Sequence, residues 1–260
     1  MKARKSTTLG ATARSAGLAL ALLLLTGATD APHLRLKIWD LPLGASVDKM
    51  PALIEFKGYA CGSNGGPPLK PLKGWADFSQ CAPEASGLHE VYFEYDDEAE
   101  YIARAHEDIR IGRDVGTVDK SFPIIASALF DNAGILQGIR LVTDPRYEQQ
   151  PDNDFANLRP REEHYLLAPY LAGQFKLTVA ADCVHLPLGP QESGVGGSAI
   201  KTDCERTDAA EGRRYVMQQR YFRKAGQAAR DPHTGQLTSG QFESLTRAEV
   251  YVVGAPKAAQ

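Results

Sequence analysis

The sequence lacks the short motifs that by themselves mark an enzyme or a metalloprotein. It contains no GxSxG turn around a nucleophilic serine and no phosphate-binding P-loop. Its six histidines are scattered singly, and no HExxH spacing places two of them on one helix face around a metal. The sequence therefore predicts no cofactor and no metal site, and it assigns no catalytic residue.

Long apolar runs are also scarce, and the one that stands out lies near the N-terminus. Residues 17–25 read GLALALLLL behind a basic lead, and small residues follow at Ala28 and Ala31. This order is typical of a secretory signal peptide. The run is shorter than the roughly 20 apolar residues that a membrane-spanning helix needs. We expect residues 1–31 to be a signal peptide and the mature chain to be a soluble periplasmic or secreted protein without a transmembrane segment.

The mature chain has no excess of positive charge. Four of the 29 basic residues and one of the 32 acidic residues lie in residues 1–31, which leaves 25 basic and 31 acidic residues. The resulting net charge is about −6. A mildly acidic protein has no general attraction for nucleic acid. We therefore expect no nucleic-acid partner.

Cysteines are few, and all four lie in the predicted mature chain. An even number of cysteines in an exported protein predicts disulfides. Nearest-neighbour pairing joins Cys61 to Cys81 and Cys183 to Cys204, and each pair closes a glycine-rich and proline-rich loop. Chain-entropy arguments give a stabilisation of about 3 kcal/mol for a loop of this length. A four-cysteine zinc site is the alternative, but the two CxxC-like pairs that it usually needs are absent.

The pattern of apolar residues predicts an α+β fold, mainly antiparallel sheet with a few packed helices. Two β-branched runs around the turn Asp131-Asn132-Ala133-Gly134 predict a hairpin of residues 124–130 and 135–143. Alternation of apolar and polar residues predicts half-buried strands elsewhere, at 33–41, 88–95, 175–183, 214–224 and 242–253. Helical spacing of apolar residues predicts helices at 96–108 and 162–170.

A polar segment interrupted by prolines, residues 146–161, is typical of a linker. It divides the mature chain into an N-terminal α+β subdomain, residues 32–145, and a C-terminal α+β subdomain, residues 162–260. The tetrapeptide LPLG occurs once in each subdomain, and the two cysteine separations are nearly equal. These repeats leave open a duplication into two similar halves.

One dense group of carboxylates follows the predicted strand 88–95. On a helix, Asp97 and Glu100 face the same side, and a pair of this kind could act as general acid and base if one pKa were raised. The alternative is a solvated helix start, where carboxylates interact favourably with the helix dipole. The candidate binding or acid/base residues are Asp96, Asp97, Glu98 and Glu100.

The sequence combines rigid, disulfide-held loops with the absence of a catalytic motif. This combination favours a binding or accessory protein over an enzyme. On this hypothesis the disulfide-stapled, glycine-rich loops contact another envelope or extracellular protein, or a glycan. The alternative is an exported hydrolase that uses a carboxylate pair on a carbohydrate, peptide or ester. A cation-binding protein is a third alternative, which a calcium- or zinc-dependent rise in melting temperature would reveal.

Overall fold

The fold is built on one large antiparallel sheet. It is seen in a computed structural model, which describes residues 36–51, 56–66, 68–97, 116–119, 122–143, 167–195, 197–223 and 243–256. The order of strands along the sheet is β1-β2-β4-β5-β9-β8-β7-β6, and β3 pairs with β4 beside β2. Strands β1 to β9 are Lys57–Cys61, His89–Glu94, Gly116–Val118, Phe122–Phe130, Leu136–Thr143, Cys183–His185, Ile200–Asp208, Arg213–Phe222 and Glu243–Val252.

The predicted hairpin around residues 131–134 is confirmed as the β4–β5 pair. Asp131 forms its turn, because the Oδ1 atom accepts hydrogen bonds from the backbone N–H groups of Ala133 and Ile135, at 2.9 and 3.0 Å. Gly134 has a φ of +76°, a conformation that favours glycine. The turn sequence thus fixes the register of the two most buried strands.

The predicted strands 214–224 and 242–253 are confirmed as the long antiparallel pair β8–β9. Strand β9 also pairs with β5, from Gly138 opposite Tyr251 to Val142 opposite Arg247. Both predicted subdomains therefore contribute strands to the same sheet. The linker 146–161 lies outside the described residues, and the division into subdomains stays a prediction, as does the duplication.

Two predicted strands are wrong. In the first, 33–41, the described residues form the 3-10 helix Ile38–Asp40, and Asp40 accepts a hydrogen bond from the backbone of Lys37 at 3.0 Å. In the second, 175–183, Lys176 has a φ of +53°, which interrupts an extended chain. A short helix, Val179–Asp182, follows, and Asp182 accepts a hydrogen bond from the Thr178 N–H group at 2.7 Å.

The other helices are short or partly outside the described residues. Residues 167–174 are helical, so the predicted helix 162–170 continues past Pro169. Most of the predicted helix 96–108 lies outside the described residues. The remaining 3-10 helices are Val47–Lys49 and Trp75–Gln80. No helix in the described ranges has the length and apolar character to cross a bilayer.

The main apolar core covers one face of the sheet, which we call the first face. Trp75 packs edge-on against Phe93 of β2, with ring centroids 5.0 Å apart, and its indole N–H group donates to the Pro51 carbonyl at 3.2 Å. Leu171 of the 167–174 helix belongs to the same core. Side chains alternate along a strand, so the residues between these core positions lie on the second face.

Candidate functional site

The second face carries a buried charge cluster in place of a solvated surface. Its centre is Arg140 of β5, whose side chain is 0% exposed. Its Nη1 and Nη2 atoms donate to the two carboxylate oxygens of Glu84 at 2.5 and 2.9 Å. Its Nε atom donates to Glu249 at 2.6 Å, and Nη1 lies 3.2 Å from a Glu90 oxygen. We call these four residues together with Arg247 the Arg140 cluster.

The sheet register brings these residues together. Arg140 stands directly opposite Glu249 of β9, and Arg247 lies two residues before Glu249, on the same face of that strand. Glu90 stands on β2 opposite Leu129 of β4. Glu84 comes from the segment before β2, which folds back because the Glu84 N–H group donates to the Leu88 carbonyl at 2.8 Å. Residues far apart in sequence therefore surround one guanidinium.

Electrostatics keep the centre of the cluster charged. Burial opposes ionisation of Glu84, but hydrogen bonds and the positive charge of Arg140 outweigh it and lower the pKa of Glu84. Burial also opposes the charge on Arg140, but the hydrogen bonds that Arg140 donates to Glu84 and the charges of the nearby carboxylates raise the pKa of Arg140 further above neutrality. A general acid needs a raised carboxyl pKa, so Glu84 is tuned for an ion pair and not for proton donation.

The cluster also holds the first stapled loop, which we define as residues 61–81. The carboxylate of Glu90 accepts the backbone N–H groups of Asn64 at 2.5 Å and Gly65 at 3.0 Å. Arg247 donates to the backbone carbonyl and the side-chain oxygen of Asn64, at 3.1 and 2.8 Å. The loop is thus joined to the sheet by charge-assisted hydrogen bonds, which are stronger than neutral ones, and the bond from Gly65 to Glu90 is buried whereas those from Arg247 are exposed.

A disulfide and a backbone ladder hold the same loop from its other sides. Cys61 at the end of β1 is bonded to Cys81, which confirms the predicted pair. Residues 69–72 return along β1, and three hydrogen bonds of 2.8 Å join Leu69 and Lys70 to Cys61 and Leu72 to Tyr59. The returning segment therefore covers the outer edge of β1.

A buried histidine ties the disulfide to the β4–β5 turn. One ring nitrogen of His89, Nδ1, lies 2.6 Å from the carbonyl oxygen of Cys81. The other, Nε2, lies 2.9 Å from the side-chain oxygen of Asn132. The ring also packs edge-on against Phe78, with centroids 5.7 Å apart. His89 thus has a structural role beside the first stapled loop.

The second stapled loop, residues 183–204, is bonded in a different way. Its disulfide joins Cys183 of β6 to Cys204 of β7, which stand directly opposite each other, and this confirms the second predicted pair. Within the loop, Ser193 exchanges two backbone hydrogen bonds with Arg223, at 3.0 and 2.8 Å. Val184 of β6 is 63% exposed. This loop touches the sheet mainly at its margin.

The two described candidate carboxylates, Asp96 and Asp97, are not part of the Arg140 cluster. Asp96 and Asp97 lie just beyond β2, and Asp97 accepts a hydrogen bond from the Asp119 backbone at 2.8 Å. Glu98 and Glu100 lie outside the described residues, so the acid/base role stays a prediction. Among the described residues, no group of three potential ligands from His, Cys, Asp and Glu is arranged to hold a metal ion.

The alternation of residues 88–95 predicts an exposed strand face for Glu90, so the Arg140 cluster was not predicted. Glu90 and Tyr92 are buried, so the prediction of a half-exposed strand at 88–95 is wrong in that respect. A usable signal was present. Arg140 is the one charged residue of β5, in the sequence LQGIRLVT, and a charge in such a position is buried only when it is paired.

The fold and the cluster define a class of protein, namely a disulfide-bonded antiparallel-sheet protein in which a stapled loop is held by a buried charge cluster. No protein family, no curated protein and no solved structure matches this chain.

Proposed function

We propose that the chain is exported, loses residues 1–31, and acts in the periplasm or outside the cell as a binding or accessory protein. Two disulfides support this proposal, because such bonds form and persist in oxidising compartments. The charge balance of the mature chain gives no reason to expect nucleic acid as its partner.

The observation that carries the binding proposal is the first stapled loop. It is held by a disulfide, by the backbone ladder on β1 and by the Arg140 cluster, yet its Leu69 side chain is 66% exposed. Groups on a rigid loop lose little conformational entropy on binding. A loop that is fixed from three sides and exposes an apolar side chain is suited to contact a partner.

The exposed side chains favour a protein over a glycan as that partner. Sugar rings commonly stack on exposed aromatic side chains, and every aromatic side chain in the described ranges is at least partly buried. The exposed large apolar residues there are all aliphatic, namely Leu69, Val179, Val184, Leu188 and Val253. We therefore propose an envelope or extracellular protein as the partner.

The hydrolase alternative finds no support in the Arg140 cluster. Three carboxylates meet there, but Arg140 and Arg247 bind them, and the pKa of Glu84 is lowered. A hydrolase would therefore need other carboxylates, such as Asp97 and Glu100. This alternative stays a prediction.

The binding proposal can be tested by photo-cross-linking in the native host. A photoreactive amino acid replaces Leu69 in the first stapled loop, Leu188 in the second, or Val253, an exposed control outside both loops. We expect discrete protein adducts from at least one loop position and none from Val253. Adducts of equal yield at all three positions, or at none, contradict the binding proposal.

The export proposal is tested on the same material. Mass spectrometry of the envelope form should give an N-terminus just after Ala28 or Ala31, and alkylation without reductant should label none of the four cysteines. An envelope form that still begins at Met1 contradicts the signal-peptide prediction. Labelling of all four sulfurs contradicts the oxidised state.

A further inference from the structure

The exposed part of the first stapled loop has a regular proline spacing. Residues 68–73 read Pro-Leu-Lys-Pro-Leu-Lys, so Pro68 and Pro71 are three residues apart and Lys73 follows two residues later. Proline-rich segments dock in aromatic-lined grooves of partner proteins, and this segment is held extended by its backbone pairing with β1. We call residues 68–73 the proline segment.

One side of the proline segment is fixed and the other is open. The N–H groups of Leu69 and Leu72 donate to β1, and the Leu72 side chain packs on the main core. Leu69, Lys70, Pro71 and Lys73 are exposed. A partner can therefore reach two apolar side chains and two ammonium groups on one rigid, extended stretch.

Recognition of this stretch must use its side chains. Pro71 has no N–H group, so the open edge cannot donate a regular ladder of hydrogen bonds to an added strand. Strand addition by a partner is therefore disfavoured here. Packing of Leu69 and Pro71 against flat aromatic rings needs no backbone donor, and the segment is already held extended before binding.

The charge of the segment specifies the partner further. The mature chain is acidic, but the proline segment carries two lysines and no carboxylate. Lys70 is oriented by a hydrogen bond from its Nζ atom to the Gln80 side chain at 2.8 Å. We infer that the proline segment docks in a groove of a partner protein that is lined by aromatic side chains and flanked by carboxylates. This inference rests on the proposed binding function.

The test uses the full-length exported chain with the photoreactive residue at position 69. Three variants are compared with the parent, namely Pro71→Ala, the double variant Lys70→Glu/Lys73→Glu, and Lys176→Glu as an exposed control in another region. Thermal melting verifies that each variant is folded. We expect the adduct yield to fall about tenfold in the double lysine variant, which corresponds to about 1.4 kcal/mol. It should fall severalfold in Pro71→Ala and stay constant in Lys176→Glu.

Comparison of the adducts at positions 69 and 188 distinguishes failure of the inference from failure of the proposed binding function. Adducts in which the cross-linked partner peptide contains aromatic and acidic residues support the inference. Yields that are unchanged in Pro71→Ala and in the double lysine variant overturn it, as do adducts with lipid or glycan. Adducts at position 188 without adducts at position 69 overturn the inference and leave the binding proposal intact. Adducts at neither loop position overturn both.

Discussion

The two disulfides close loops of almost equal length, with sequence separations of 20 and 21, but they do different structural work. The first joins the end of an edge strand to the segment that follows Trp75–Gln80, so it links parts of the chain that the sheet does not pair. The second joins Cys183 and Cys204, which are already opposite each other in β6 and β7. Equal spacing in the sequence therefore does not imply an equal role in the fold.

The two loops also differ in how deeply the ion pairs near them are buried. The first stapled loop reaches the Arg140 cluster, whose central side chain is fully buried, whereas the side chains of the ion pairs near the second are between 14% and 28% exposed. Arg220, for example, contacts Asp203 at 2.5 Å with both side chains partly open to solvent. Buried charges depend strongly on their partners, whereas pairs near the surface contribute little. The first stapled loop should therefore depend on its ion pairs far more than the second.

The largest expected effect tests this difference directly. Arg140→Met leaves Glu84, Glu90 and Glu249 buried around an uncharged side chain, and removing one partner of a buried ion pair costs about 3–5 kcal/mol. Arg220→Met, the matched control, removes a pair whose side chains are 14% and 28% exposed, and it should cost less than Arg140→Met. Urea unfolding of the two variants measures both values. Equal losses would show that burial of the Arg140 cluster does not matter.

The second prediction compares the disulfides themselves. Each pair of Cys→Ser changes removes a loop of similar length, so both double variants should lose about 3 kcal/mol. The local consequences should differ. In Cys61→Ser/Cys81→Ser, Glu90 and Arg247 still hold Asn64. In Cys183→Ser/Cys204→Ser, the second loop keeps contacts at the sheet margin, such as the β6–β7 pairing and the Ser193–Arg223 hydrogen bonds.

Limited proteolysis and hydrogen exchange distinguish these two cases. We expect cleavage and fast exchange within 186–199 in the second double variant, and protection of Asn64 and Gly65 in the first. Equally fast exchange in both loops would mean that the Arg140 cluster does not hold the first stapled loop.

The same comparison shows what could be predicted from the sequence. Cysteine pairing and the β4–β5 and β8–β9 hairpins follow from local signals, namely spacing, β-branched runs and turn residues. The Arg140 cluster depends on register between β2, β4, β5 and β9, which no local pattern fixes. Alternation alone also failed at 175–183, because Asp182 caps a helix there and Lys176 interrupts the extended chain.

Four strands, β1, β3, β6 and β7, were not predicted, and β7 is the longest of them. β7, Ile200–Asp208, alternates weakly and is rich in polar side chains, so its sequence resembles a loop. Its pairing with β8 over nine residues and the buried Cys204 side chain hold it in the sheet. Tertiary pairing there outweighs local propensity.

A third prediction compares two glycines with the same backbone conformation. Gly65 and Gly197 have φ values of +79° and +86°, so an alanine at either position is strained by about 1–2 kcal/mol. An added Cβ at Gly65 would lie 2.4 Å from a methyl group of Val142, whereas at Gly197 nothing lies within 4 Å. Gly65→Ala should therefore be the more destabilising in urea unfolding. Equal losses would mean that the first stapled loop yields to the added methyl group.

The smallest expected effect concerns acid stability. Because Arg140 lowers the pKa of Glu84 from its ordinary 4.5, the stabilisation from this carboxylate is complete above that value. It is lost as the pH falls through the lower pKa of the folded state. Glu84→Gln should therefore flatten the decline of unfolding free energy below about pH 4.5, by at most about 1.4 kcal/mol per pH unit.

The matched control for this acid effect is Asp208→Asn, in the β7–β8 turn. The Glu211 backbone N–H group lowers the pKa of Asp208, so its contribution has the same sign. Asp208 lies near the surface, where solvent screens the interaction, and its removal should flatten the decline less. Urea unfolding at several pH values from about 3 to 7 compares the two slopes. A larger change in Asp208→Asn than in Glu84→Gln would contradict this prediction. It would mean that the main acid-sensitive contact is at Asp208 and not in the Arg140 cluster.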